Sequence, residues 1–188
     1  MTEFNTFAAQ LLRKPREMSA LAPSSPTLCQ LMAGQIPRSA RRVAEFGPGT
    51  GNITREILKL GIAPADLLLY EVNPVFCRML RERHPDVSVF DEPAEKLASS
   101  GPAHVDAVVS GLPLLSMSTS QQQAILSAAF SRLGPDGVYI QFTYGLFSPL
   151  RKSIAESLGL EFTRSPRVWR NLPPAVVYVF RRKRNRAG

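Results

Sequence analysis

Three glycines at alternate positions, Gly47, Gly49 and Gly51, follow an acidic residue, Glu45, and a second acid, Glu71, closes the next apolar run. Alternating glycines let the backbone take positive φ and come close to a ligand. A helix that starts just beyond such a turn points its free N–H groups at the same place. The turn is a poor arrangement for a polyphosphate. Asn52 stands where a dinucleotide fingerprint requires its third Gly, no Gly-Lys-Ser/Thr follows, and no basic residue occurs between Phe46 and Arg55. A cationic ligand with a small carboxylate fits better. Glu71 sits at the roughly 20-residue spacing at which an acid accepts from both hydroxyls of a ribose. The alternative for the three glycines is a tight turn and nothing more.

The elements that would position these groups alternate along the chain. Val43, Ala44 and Phe46 read as a buried strand running into the turn, and Ile53 to Leu60 as the helix after it. Asp66 to Val72 is an expected strand, Pro74 to Arg83 a helix, Val87 to Phe90 a short strand and Ala94 to Ser99 a short helix. Val105 to Ser110 is an apolar strand, followed by a helix from Thr119 to Leu133, a turn at Gly134 to Gly137 and a strand from Val138 to Thr143. Strands apolar on both faces and separated by helices imply a mostly parallel sheet covered on both sides. After a helix at Pro149 to Leu158, Glu161 to Arg170 and Ala175 to Arg181 read as a hairpin joined through Asn171-Leu172-Pro173-Pro174. Fold class is therefore α/β, a Rossmann-like, mostly parallel seven-stranded sheet closed by a C-terminal antiparallel hairpin.

At 188 residues the chain suits one domain, with residues 1–40 as N-terminal amphipathic and lid helices and residues 41–188 as the core. Phe4, Phe7, Ala8, Leu11 and Leu12 fall at helical spacing, with Arg13, Lys14 and Arg16 beyond. Such a helix either packs over the core or lies in a lipid interface, where Phe4, Phe7 and Leu11 insert while Arg13 and Lys14 meet headgroups. Ser25 and Pro26 are suited to start a second helix with Leu28, Leu31 and Met32 inward, able to close over a ligand at the turn. The formal net charge of +8 favours a polyanionic partner, nucleic acid or an anionic membrane surface, and its sign alone does not choose. Cys29 and Cys77 are too few for a disulfide framework or a zinc site, and His84 and His104 have no partner pattern, so no metal is expected. No apolar run approaches the length of a membrane span and no leader pattern is evident, so a cytoplasmic location is expected.

The acid before Gly-x-Gly-x-Gly, paired with the acid ending the next strand, resembles the S-adenosylmethionine site of class I, Rossmann-like methyltransferases. The resemblance implies Glu45 near the methionyl ammonium, Gly47, Gly49 and Gly51 under the methionine and ribose, and Glu71 on the ribose hydroxyls. Where many relatives carry Gly-Asp-Ala, with the Asp on the adenine amino group, this chain has Phe90-Asp91-Glu92-Pro93-Ala94. Asp91 or Glu92 would substitute; exposed loop acids are the alternative. Ser110 and Gly111 end the fourth strand, at the place where this superfamily puts its acceptor, and the resemblance implies Ser110 on the cofactor side and Gly111 on the acceptor side. Adenine methyltransferases use an Asn-Leu-Pro-Tyr-like tetrapeptide to grip an extruded base; here Gly111, Leu112, Pro113 and Leu114 stand in its place, without the polar group or the aromatic.

Ser110 to Leu114, Gln141-Phe142-Thr143-Tyr144-Gly145 and the stretch Val168 to Pro174 together resemble a bacterial phospholipid N-methyltransferase of the soluble PmtA type, over nearly the whole chain. That implies stepwise methylation of phosphatidylethanolamine, through its methylated intermediates, to phosphatidylcholine by a monomer at the inner face of the membrane, with no nucleic acid partner. Tyr144 is then the first candidate to contact the amine, and Arg167 and Arg170 are candidates for the lipid phosphate. Tyr178 and Trp169 read as core residues. The charge favours an RNA adenine methyltransferase as the alternative, opposed by Gly111 and Leu114. A catalytically silent lipid- or nucleic-acid-binding protein is the other.

Overall fold

The computed structural model describes residues 25–184. Within them the chain forms α1 (Pro26–Ala33), β1 (Val43–Phe46), α2 (Asn52–Lys59), β2 (Leu67–Tyr70), α3 (Pro74–Arg83), β3 (Ser88–Phe90), α4 (Leu97–Ser100), β4 (Val105–Ser110), α5 (Thr119–Arg132), β5 (Leu133–Thr143), α6 (Lys152–Ser157), β6 (Leu160–Arg164) and β7 (Val176–Arg182). The expected interfacial residues Phe4, Phe7, Leu11, Arg13 and Lys14 lie outside the described residues.

The seven strands form one sheet in the order β3-β2-β1-β4-β5-β7-β6. The five strands from β3 across to β5 in that order are parallel, and β7 runs antiparallel to both β5 and β6. The expected architecture is therefore observed. All four residues of β1 and all four of β2 are buried, as a sheet covered on both faces requires; β2 is apolar throughout, whereas β1 carries Glu45 between Ala44 and Phe46. Strand residues divide by parity. Val43, Leu67, Leu69, Val109 and Ile140 pack with Leu28, Met32, Ile53, Ile57 and Leu80 of α1 to α3. Ala44, Phe46, Leu68, Tyr70 and Val108 pack with Leu97 of α4, Ile125, Leu126 and Phe130 of α5 and Ile154 of α6.

Local signals place the helix starts. Ser25 caps α1 by accepting from the Leu28 N–H, with Pro26 at the first position, and Asn73 caps α3 in the same way with Pro74. Ser118 and Gln121 form a reciprocal capping box at the start of α5.

Three expectations change. Gly134 to Gly137 is not a free turn. Val105 pairs with Leu133 and Ala107 with Val138, so the intervening residues bulge within one strand. The first hairpin strand is shorter than expected, because the segment between Arg164 and Val176 leaves the ladder except for a bridge from Val168 to Ala175. In the same segment Trp169 is 76% exposed, whereas Tyr178 is buried as expected. Within α1, Leu28, Cys29, Met32 and Ala33 are all core residues, packed against the sheet face that carries Val43 and Leu69.

Candidate active site

β1 lies between β2 and β4, and the helix that follows β1 covers one face while the helix that follows β4 covers the other. The carboxyl ends of β1 and β4, Phe46 and Ser110, are paired in register, and in a parallel α/β sheet the ligand crevice lies beyond such strand ends.

The glycine turn forms the floor of that crevice. Gly47, Gly49 and Gly51 have φ of 65°, 54° and 78°, values that any other L-residue adopts with strain. The Gly47 N–H donates to the Tyr70 carbonyl (2.9 Å) and the Gly51 N–H to the Pro48 carbonyl (2.9 Å). Gly49 donates to Glu71 Oε2 (3.1 Å), while Glu71 Oε1 accepts from the Asn73 N–H (2.8 Å). Glu71 thus ties the turn after β1 to the loop after β2. It is 7% exposed and faces the glycines, where a carboxylate would also meet the hydroxyls of a ribose. A Glu71→Gln protein presents an amide N–H₂ in place of one acceptor oxygen, and we expect its donor affinity, read by calorimetry, to fall about tenfold or more. Unchanged affinity would remove Glu71 from the site.

Glu45 is fully buried between β1 and α2. Its Oε2 accepts from the Thr54 hydroxyl (2.7 Å), and its Oε1 is buried with no hydrogen-bond partner. Burial pushes its carboxyl up to about 8; hydrogen bonds from the Thr54 side chain and backbone oppose the rise, and the Glu71 charge adds to it. A buried acceptor left unpaired beside a glycine cradle is what an ammonium group would complete. The donor set therefore fits the methionyl end of S-adenosylmethionine.

The two candidates for the adenine contact separate in space. Glu92 accepts from the Ser100 hydroxyl (2.6 Å) and is directed at α4. Asp91 lies beside the Cys77 thiol, which in turn donates to the Glu71 carbonyl (3.2 Å). Asp91 is on the Glu71 side and Glu92 is not. Burial, followed by the nearby acids Asp91 and Glu71, pushes the Cys77 thiol up to about 11, and burial does the same for Cys29, so both stay protonated.

The acceptor loop after β4 is pinned by groups that periodicity does not reveal. Gly111 donates to the Phe46 carbonyl (2.8 Å), and a Cβ at Gly111 would stand 2.7 Å from the Gly47 carbonyl oxygen. Gly111 is thus required by contact with the glycine turn, not merely the loss of an Asn. Ser110 is fully buried, and its hydroxyl accepts from the Leu112 N–H (3.3 Å). The Leu112 carbonyl accepts from Gln141 Nε2 (2.9 Å) and the Leu114 carbonyl from Gln122 Nε2 (2.6 Å); both glutamines are buried. Leu114 is itself a core residue, so the acceptor-facing side chains of this loop reduce to half-buried Leu112 and exposed Pro113. Gln122 and Gln141 were not among the sequence candidates, because a polar residue inside an apolar strand or helix signals burial only once its partner is known.

Tyr144 follows β5, half-buried, with its ring edge-on to Phe142 at 5.2 Å, on the α1 face of the sheet where Glu45 also lies. Arg167 donates to the Gly145 and Pro174 carbonyls (3.4 Å each), a brace between loops, while Arg170 is exposed. His104 pairs with Asp106, which accepts from the backbone of Arg41 and Arg42 at the amino end of β1, the edge opposite the crevice. Among the described residues no group of His, Cys, Asp and Glu is arranged to hold a metal.

The family described as Methyltransferase domain matches residues 43–137, the span from β1 into β5. An ornithine lipid N-methyltransferase of Singulisphaera acidiphila is 32% identical over 194 residues, covering 96% of this chain and 97% of that protein. Among solved structures, a TehB-like SAM-dependent methyltransferase from Corynebacterium glutamicum superposes with a TM-score of 0.65 at 19% identity, covering 95% of this chain and 100% of that one. The glycopeptide N-methyltransferase MtfA complexed with S-adenosyl-L-methionine superposes with a TM-score of 0.67 at 11% identity, covering 84% and 94%. At these identities the structures speak for the fold.

Proposed function

Because the chain belongs to the S-adenosylmethionine-dependent methyltransferases, we propose that it methylates the primary amine of a membrane lipid headgroup, with phosphatidylethanolamine and an ornithine-bearing aminolipid as the two acceptors to distinguish. The observation that carries this reading is the end-to-end kinship with an ornithine lipid N-methyltransferase. The acceptor loop supports it. Gly111 and buried Leu114 leave no polar group and no aromatic to grip a planar base, which disfavours an RNA adenine acceptor.

Bound S-adenosylmethionine supplies an activated methyl group on a sulfonium sulfur. Glu45 would hold the methionyl ammonium through its free oxygen, Glu71 would accept from the ribose hydroxyls, and Asp91 would accept from the adenine amine. The chain's remaining work is positioning and exclusion of water. Gln141 and Gln122 hold the loop from Leu112 to Leu114 at a fixed distance from the glycine turn. The acceptor amine has a pKa of roughly 10 as a lysine-like ammonium and must lose its proton before it reacts. Tyr144, at the mouth on the Glu45 face, orients the amine with its hydroxyl or ring. Arg170 meets the lipid phosphate when the acceptor carries one. A lipid acceptor places the reaction at the surface of a bilayer; no helix among the described residues is long and apolar enough to cross a membrane.

The test is transfer of labelled methyl groups into vesicles containing either phosphatidylethanolamine or an ornithine lipid, followed by chromatography of the lipids. We expect label in at least one, and Arg170→Ala should lower transfer to the phosphate-bearing acceptor more than to the ornithine lipid. Label in neither, with robust transfer to RNA, would overturn the assignment.

A further inference from the structure

Large apolar side chains that stay exposed are concentrated at one edge of this protein. Leu115, Leu146, Phe147, Trp169 and Leu172 are all exposed, four of them by 72% or more. They occupy the connections after β4, after β5 and between β6 and β7. Because β4, β5 and β6 run in one direction, all three connections open at the carboxyl edge of the sheet, where the glycine turn also lies. The loops touch. Arg167 donates to the Gly145 carbonyl (3.4 Å), and a Cβ on Gly145 would stand 3.2 Å from Leu115 Cδ1. The described chain also begins here, since the Ser25 N–H donates to Asn171 Oδ1 (2.9 Å) beside Leu172.

Charge decides what such a rim faces. Arg151, Arg164, Arg167 and Arg170 flank the apolar tips, Lys152 being paired with Glu156 (3.7 Å), and no Asp or Glu occurs from 137 to 155 or from 162 to 184. Apolar tips over cationic roots, with a tryptophan among them, match the depth profile of a bilayer interface with acidic headgroups. A partner protein's apolar surface would leave these cations without counter-charge. We propose that the loops carrying Leu115, Leu146–Phe147 and Trp169–Leu172 insert into the interface of an anionic bilayer and seat the acceptor crevice directly on the membrane. This rests on the reading of the acceptor as a lipid, and it lets a headgroup reach Tyr144 while its acyl chains stay in the bilayer.

Trp169 is the chain's single tryptophan, so it reports on the rim without labelling. The full chain is mixed with vesicles of phosphatidylglycerol and phosphatidylcholine, which carry no primary amine and so need no turnover. Trp169 emission should shift to the blue, brominated acyl chains should quench it, and raised salt should weaken both effects. In the double variant L146S/F147S, with its melting temperature and donor affinity unchanged, vesicle affinity should fall roughly tenfold or more. Unchanged Trp169 emission on adding vesicles would overturn the proposal. So would undiminished vesicle affinity of the double variant, which would assign binding to another surface. Concentration-dependent self-association of the wild-type chain that the double variant abolishes would overturn it too, because the rim would then face a second copy. If docking holds while no amine lipid is methylated, the acceptor assignment fails and the membrane rim stands.

Discussion

Glu45→Gln protein will lose less thermal stability than wild type between about pH 5 and about pH 8, and it will bind S-adenosylmethionine at least about a hundredfold more weakly. Both effects follow from one buried carboxyl. Its folded value is pushed up to about 8, against roughly 4.3 in an unfolded chain. Between those values the folded protein holds a proton that the unfolded chain has released, so stability falls as pH rises, and the loss levels off above the folded value. The wild-type chain without donor should therefore become less stable by an amount on the order of a few kcal/mol across that window. Gln at this position has no proton to lose and keeps an acceptor for Thr54. An ammonium placed against Oε1 favours the charged carboxylate, so binding to wild type below about pH 8 should release a proton. Calorimetry in buffers of different ionisation enthalpy reads that proton directly. Equal pH slopes for the two proteins, or unchanged donor affinity in Glu45→Gln, would remove Glu45 from the site.

Gly111→Ala is expected to be the most disruptive single methyl group that can be added to the crevice. Its Cβ would meet the Gly47 carbonyl oxygen at 2.7 Å and the Phe46 carbonyl oxygen at 3.5 Å, both of them backbone atoms. Neither can swing away as a side-chain end would. Relief requires β4 and the glycine turn to part, breaking the Gly111 to Phe46 hydrogen bond and moving the turn off Glu71. We expect a loss of about 2–3 kcal/mol in stability and a fall in donor affinity of about tenfold or more. Gly49→Ala is the informative contrast, since open space surrounds its added Cβ and only the positive φ opposes it. That substitution should cost about 1–2 kcal/mol of stability and yet weaken the donor, because the turn then carries a methyl group towards the ligand. Donor affinity preserved in Gly111→Ala would show that the two loops are not coupled.

The same contact explains why this chain departs from the base-gripping tetrapeptide. An Asn at 111 would have to place its Cβ where the Gly47 carbonyl already stands. In the sequence, Gly111 marks the absence of an amide and points to a different acceptor. The structure adds that an amide does not fit while the glycine turn keeps its shape.

Other features were out of reach of a linear reading for reasons that differ in kind. Trp169 reads as core because an aromatic beside Val168 in an apolar stretch normally packs inward. The segment leaves the ladder after Arg164, and without a strand's alternation Trp169 faces solvent. Asp91 and Glu92 are adjacent in sequence, and their types give no order of preference. Only the placement of Ser100 on one side and Cys77 on the other separates them. Arg167 carries a charge suited to a phosphate, but its neighbours in space are two backbone carbonyls.

Local chemistry determined, from the sequence by itself, the parts of this protein that depend on near neighbours along the chain. These are the strand into a glycine turn at Val43 to Gly51, the capped starts of α1 and α3, the alternation that produces a parallel sheet, and the two acids that select a cationic ligand over a polyphosphate. Tertiary structure alone decided everything that depends on which side chain fills the next element's space. It left Glu45 Oε1 without a partner, made Gly111 obligatory beneath Gly47, set Gln141 and Gln122 under the acceptor loop, and gathered Leu146, Phe147 and Trp169 from separate loops to one edge. The physical reason is range. Backbone dihedrals and helix caps act over a few residues, whereas burial, steric exclusion and unpaired polar atoms are properties of positions that meet only when the sheet has formed.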